Sequence, residues 1–202
     1  MTDVKNIVIV NTGCANISSV KFAVERLGVQ VTVSDDTALI QKADKVFLPG
    51  VGSANAAMAS IEQKQLSQCI QSLTQPVLGI CLGMQLMVDA SEESLLESTT
   101  CLGLIPGQVK RMQVGNLRLP HMGWNTVRKV KDAPLFKGID DDSYFYFVHS
   151  FAVEVAEHTM AVCEYHMNFS AALHKDNFFG VQFHPERSSD AGAQLLKNFM
   201  EL

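Results

Sequence analysis

The chain has 202 residues, 47% of them apolar, and a formal net charge of −5. That length and apolar share suffice for one sizeable core, so one domain over residues 1–202 is expected, and the acidic balance leaves no basic footprint for nucleic acid or an anionic membrane. No charged segment leads into a long apolar stretch, and the five cysteines fit neither a disulfide framework nor a C-x-x-C zinc pattern, so a cytoplasmic protein with reduced thiols and no metal or cofactor is expected.

Asn6 to Val10 is a continuous apolar run that reads as a strand. Beyond the Asn11-Thr12-Gly13 turn, Ile17, Val20, Val24 and Leu27 keep helical spacing until Gly28 stops them. Val29 to Val33 reads as a second strand, Thr37 to Lys42 as a short helix and Val46 to Leu48 as a buried strand entering Pro49-Gly50-Val51-Gly52. Helices are predicted across Ala54 to Leu73, a strand over Pro76 to Ile80 and the start of a helix over Gly83 to Val88. After about residue 100 the pattern changes to strands: Gln108–Met112, Thr126–Val130, Tyr144–His149, Ala161–Glu164, Ala171–Lys175 and Phe178–Phe183, the last two joined by an Asp176-Asn177 hairpin turn. A helix near Ser189 to Leu202 closes the chain. Alternating strands and helices followed by strands predict an α/β fold, doubly wound and flavodoxin-like, with a mixed sheet whose antiparallel additions lie in the second half.

Three stretches carry chemistry. In Gly79-Ile80-Cys81-Leu82-Gly83-Met84-Gln85 one cysteine stands at a strand-to-helix junction with glycine two residues before and two after it. A nucleophile elbow needs that layout, because side chains at the flanking positions would clash across so sharp a turn. The amides of the following helix would favour the reactive thiolate. A small core side chain is the competing reading of the cysteine. Gly180-Val181-Gln182-Phe183-His184-Pro185-Glu186 ends a strand with a histidine and a carboxylate, which suits a general base and the group that orients it; an ordinary polar strand end is the competing reading. In Pro49-Gly50-Val51-Gly52 free backbone N–H groups could meet an oxyanion, and the spacings of phosphate-binding loops are absent. Two glycines there can turn a peptide plane cheaply. All three stretches fall at the carboxyl ends of predicted strands, where open α/β sheets place their ligands.

With its P-G-x-G loop, its G-I-C-x-G-x-Q elbow and its F-H-P-E element in this order, the chain resembles the class I, triad-type glutamine amidotransferases over nearly its whole length. Within that family Pro120-His121-Met122-Gly123-Trp124-Asn125, Tyr144 to Ser150 and Gln182 to Ser189 resemble the glutaminase subunits of imidazole glycerol phosphate synthases, of the histidine pathway. The Asn11 to Ser19 stretch is similar to theirs too, with Ala15 before Asn16 where glycine is usual. The resemblance implies one glutaminase domain that hydrolyses L-glutamine through a Cys81 thioester, with His184 as base and Glu186 as its orienter. It further implies an oxyanion site from Leu82 and the Gly50-Val51-Gly52 loop, glutamine contacts from Gln85 and Gly52, and no metal. Ammonia would pass to a separate TIM-barrel cyclase subunit in a heterodimer. Trp124 and Tyr146 either line the face where ammonia leaves or belong to the core.

Overall fold

The structure, a computed structural model, describes residues 6–13, 16–93 and 98–202. Cys14 and Ala15 lie outside the described residues. The first half alternates: β1 (Ile7–Val10), α1 (Ile17–Glu25), β2 (Val31–Ser34), α2 (Thr37–Gln41), β3 (Lys45–Gly50), α3 (Ala54–Gln63), α4 (Ser67–Gln71), β4 (Val77–Cys81) and α5 (Leu82–Leu86). The second half is strand-rich: β5 (Ala90–Ser91), β6 (Thr99–Thr100), β7 (Gln108–Arg111), β8 (His121–Lys129), β9 (Ser143–His149), β10 (Phe151–Val153), β11 (Thr159–Tyr165), β12 (Met167–Lys175) and β13 (Phe178–Val181), before α6 (Ser189–Glu201).

Among the described residues β2-β1-β3-β4-β13-β12-β11-β8-β9 form one nine-stranded sheet and β10-β7-β5-β6 a smaller one. The large sheet is parallel from β2 to β13 and antiparallel from β13 to β9. The expected mixed sheet is therefore present, and β13 is where its two halves meet. Strand alternation sorts the core onto two faces. Ile7, Ile9, Phe47, Leu78 and Ile80 pack with Val20 and Val24 of α1 and Leu195 and Phe199 of α6; Val8, Val10, Val46, Leu48 and Val77 pack with α3, α4 and α5 on the other face. No helix of the described residues is long and apolar enough to cross a membrane.

Several boundaries differ from the pattern of the sequence. The helix expected to reach Val88 stops at Leu86, because a returning segment takes its last carbonyls: Leu102 N–H donates to Leu86, Leu104 and Ile105 N–H to Met87 and Gly103 N–H to Val88. The strand expected from Thr126 starts at His121, since β8 pairs residue by residue with β9 from His121 opposite His149 to Val127 opposite Ser143. β10, which no alternation announces, is held by Arg111, Lys110 and Val109 of β7.

The motif glycines have separate physical reasons. A Cβ on Gly79 would lie 2.8 Å from the Gly83 carbonyl group, one on Gly50 would lie 2.9 Å from the Gly83 nitrogen, and one on Gly83 would fall inside the Leu48 carbonyl. The backbones of β3, β4 and α5 therefore touch directly. Gly50 sits inside β3 opposite Cys81 and is needed for that contact, not for freedom to turn; only Gly52 of the loop has a positive φ, +93°. Gly83→Ala should thus lower the thermal midpoint by about 8–16 °C, corresponding to about 4 kcal/mol at ~2–4 °C per kcal/mol. Gly28→Ala, at φ +87° with open space around it, should cost only about 1–2 kcal/mol of backbone strain, and parallel melts of the two variants check the contrast.

Candidate active site

Cys81 ends β4 and stands at the N-cap of α5 with φ 54° and ψ −113°, a conformation that costs an L-residue about 1–3 kcal/mol. The tight turn sets the residue at the strand end, where it packs on the face of Phe47 and Ile80 and also borders the cavity there. Its polar neighbours are the Gln182 amide nitrogen at 3.8 Å and the Val148 carbonyl at 4.0 Å. Among the described cysteines Cys81 alone lines the cavity at the strand ends. Burial raises the thiol of Cys69, and pushes those of Cys101 and Cys163 to about 11 and about 12, which leaves them inert.

His184 follows β13 and is fixed by a closed set of bonds. Its N–H donates to the Tyr146 carbonyl (2.9 Å), Tyr146 N–H donates to Ser188 Oγ (3.0 Å), and Ser188 Oγ–H donates to the His184 carbonyl (2.6 Å). A single 3-10 turn, Pro185–Arg187, then folds Glu186 back so that its Oε1 lies 2.8 Å from His184 Nδ1. Gly192 of α6 seats that turn, since any side chain there would collide with the Pro185 carbonyl. With Nδ1–H committed to Glu186, His184 presents Nε2, which has no hydrogen-bond partner among the described residues. Burial opposes charging of this imidazole, but the Cys81 sulfur and the Glu186 carboxylate outweigh it and raise its pKa to about 10.

Cys81 and His184 share one cavity of about 330 Å³. Leu82, Gln85, Val51 and Gly52 also line it, so the loop after β3, the residue after the cysteine and the elbow glutamine all border the same space. Gln85 is largely committed: its Nε2 donates to the Phe151 carbonyl (2.9 Å) and to Gln182 Oε1 (2.8 Å). Glu93, in no motif, reaches the cavity by tertiary folding, with Oε2 accepting from Ala54 N–H (3.2 Å) and burial raising its pKa. Trp124 and Tyr146 do not line the cavity. Trp124 is 52% exposed and edges onto half-buried Tyr146 at 6.1 Å, and with Met122 and Tyr144 it forms an exposed apolar strip on the β8–β9 hairpin.

Two further buried histidines stand here, His149 lining the cavity and His121 behind it. His149 Nδ1 faces the Phe151 carbonyl (2.9 Å), which can only accept; its Nε2 must then accept from His121 Nδ1–H (3.0 Å), leaving His121 Nε2 to accept from Asn125 (3.2 Å). Each bond fixes the next tautomer. Burial holds both neutral, with pKa values lowered to about 4 for His121 and about 3 for His149.

A thiol at an elbow, facing an imidazole whose far nitrogen is held by a carboxylate, is the equipment of a hydrolase that forms a covalent acyl intermediate. Residues 8–202 match the model of the class-I glutamine amidotransferases. Imidazole glycerol phosphate synthase subunits HisH are 56% identical in Colwellia psychrerythraea (100% of this chain, 95% of that protein), 56% in Vibrio cholerae (98% and 99%) and 57% in Haemophilus influenzae (97% of each). In fold the chain is similar to a solved glutamine amidotransferase, with a TM-score of 0.74 at 15% identity (96% of this chain, 97% of that one). PurLQS of Thermotoga maritima gives 0.72 at 17% (97% of each chain). The chain belongs to the class-I glutamine amidotransferase family, in its branch of imidazole glycerol phosphate synthase HisH subunits, and is a glutamine amidotransferase.

The buried imidazoles make stability depend on acid. Unfolded, each binds a proton near its ordinary pKa of 6.5, whereas folded His121 resists until about pH 4, so this contribution is complete above 6.5 and is lost as pH falls toward 4. Denaturant titrations should show stability falling between those values, by about 1.4 kcal/mol per pH unit for each histidine. In His121→Gln the slope should be shallower by about one proton.

Proposed function

We propose that this chain is the glutaminase subunit of an imidazole glycerol phosphate synthase, working in the cytoplasm in histidine biosynthesis. The observation that carries the reading is the convergence of Cys81, the His184–Glu186 pair and Glu93 on one cavity sized for a small molecule. The Cys81 thiolate attacks the side-chain amide carbon of L-glutamine, and imidazolium His184 gives its proton to the departing ammonia. His184, now neutral, takes a proton from water as the oxygen adds to the γ-glutamyl thioester, and glutamate leaves with the thiolate restored. Glu186 keeps the imidazole in the required tautomer. Backbone N–H groups of Leu82 and of the Gly50-Val51-Gly52 loop meet the oxyanion, where one lost donor typically costs about 3–4 kcal/mol of barrier. Glu93 receives the α-ammonium group, and Gln85 and Gly52 close the cavity around the amino acid.

The glutaminase domain, residues 1–202, hands its ammonia to a partner. Its acceptor is a TIM-barrel cyclase subunit in a heterodimer, which forms imidazole glycerol phosphate and aminoimidazole carboxamide ribotide. The exposed strip of Met122, Trp124 and Tyr144, with Tyr146 beside it, supports docking on the β8–β9 hairpin, because side chains of this kind form the cores of protein interfaces.

With the cyclase present, Cys81→Ala should abolish glutamine-dependent synthesis and leave ammonia-dependent synthesis nearly intact; full glutamine activity in that variant would refute the assignment. His184→Asn should lose glutaminase turnover by several orders of magnitude, and Glu186→Gln, which misorients the imidazole without removing it, should retain more.

Glu93→Gln should raise KM for glutamine about tenfold or more with a smaller change in kcat. In the native chain KM should climb as pH falls through the raised pKa of Glu93, since the protonated acid cannot pair with the ammonium. Steady-state kinetics across pH would show a flat KM if Glu93 does not touch substrate.

A further inference from the structure

We infer that Gln182 is a positioning residue whose side-chain amide holds the Cys81 sulfur as an anion, an inference that rests on the reading of Cys81 as the nucleophile. Gln182 follows β13 and is fully buried, its backbone N–H donating to the Ala171 carbonyl. A buried primary amide needs its donors and acceptor satisfied, and the partners here leave one orientation. The Phe151 carbonyl can only accept, so the end of Gln85 facing it at 2.9 Å is the amino group. That amino group also faces Gln182 at 2.8 Å, so Gln182 presents Oε1 to Gln85 and Nε2 to Cys81 Sγ, 3.8 Å away.

The amide thus cannot flip without leaving two N–H groups facing each other. It meets the sulfur as a donor in every state of the cycle. A donor gains most from the thiolate and least from the neutral thiol or the thioester, so it favours the charged forms at both ends of the reaction. In the second half, the water oxygen bonds to the thioester carbon, its proton passes to His184, and the C–S bond breaks with its electron pair moving onto sulfur. The pair develops beside the Gln182 N–H. Gln182 does not line the cavity, so its effect falls on the chemistry and not on glutamine binding.

The test measures iodoacetamide alkylation of Cys81 against pH, read by mass spectrometry of its peptide, in the native chain, Gln182→Met and Gln182→Glu. Both variants should move the profile to higher pH and slow alkylation at neutral pH about tenfold, the equivalent of about one pH unit. Gln182→Glu keeps the acceptor for Gln85 but sets an oxygen against the sulfur, so it should shift furthest. In complex with the cyclase, kcat should fall about tenfold or more in Gln182→Glu, which keeps Gln85 anchored, with KM for glutamine nearly unchanged.

A folded Gln182→Met with a native profile overturns the inference. Should that variant not fold, NMR on the native chain decides: alkylation of Cys81 should move the Gln182 side-chain amide resonances, and unmoved resonances overturn it equally. Retained glutamine turnover in Cys81→Ala would instead sink the nucleophile reading itself.

Discussion

The structure depends on a direct contact between backbones. β3, β4 and α5 approach so closely at Gly50, Gly79 and Gly83 that no side chain fits between them, and this contact lets the chain reverse at Cys81 in a conformation L-residues rarely adopt. The sulfur is thereby held at the carboxyl edge of the sheet, beside the loop after β3. Burial of Leu82, Met84 and Leu86 under the adjacent helices offsets the cost of the turn. Positive φ in the loop after β3 is confined to Gly52, beyond the contact, so packing at Gly50 fixes the base of that loop.

Two imidazoles border the same cavity with opposite protonation behaviour. The Cys81 sulfur and the Glu186 carboxylate outweigh the burial of His184 and raise it to about 10; burial lowers His149 to about 3, with the Phe151 carbonyl opposing and the neighbouring imidazoles adding to the effect. Both are buried, so the difference comes from the neighbours. Only the first can hold a proton at neutral pH and deliver it. The second serves as an uncharged link in a chain of fixed tautomers from Asn125 through His121 to the Phe151 carbonyl, where Gln85 and Gln182 continue it to the sulfur.

The β8–β9 hairpin serves the site and the surface together. Met122 and Trp124 of β8 point outward, while His121 of the same strand is buried; the backbone of Tyr146 in β9 holds both His184 and Ser188. A partner seated on the outer strip would therefore bear on strands whose other contacts fix the His184 imidazole and border the Cys81 sulfur at Val148. That juxtaposition is a property of strand pairing, since Trp124 lies opposite Tyr146 and Met122 opposite Val148.

The sequence by itself determined what local sterics and periodicity control. The apolar runs that became β1, β3, β4 and β13, the glycine-flanked cysteine, the short reach from His184 to Glu186 and the Asp176-Asn177 hairpin were all legible, because each depends on residues within a few positions of one another. Tertiary structure alone decided which strand lies beside which, with β13 inserted against β4 to bring His184 across from Cys81. It also decided that Gly50 is a packing glycine, that Trp124 is exposed, and that Glu93, His149 and Gln182 belong to the site. No spacing rule could announce these. Their partners lie tens of residues away, and burial, tautomer and amide orientation are set by atoms that only the folded sheet brings together.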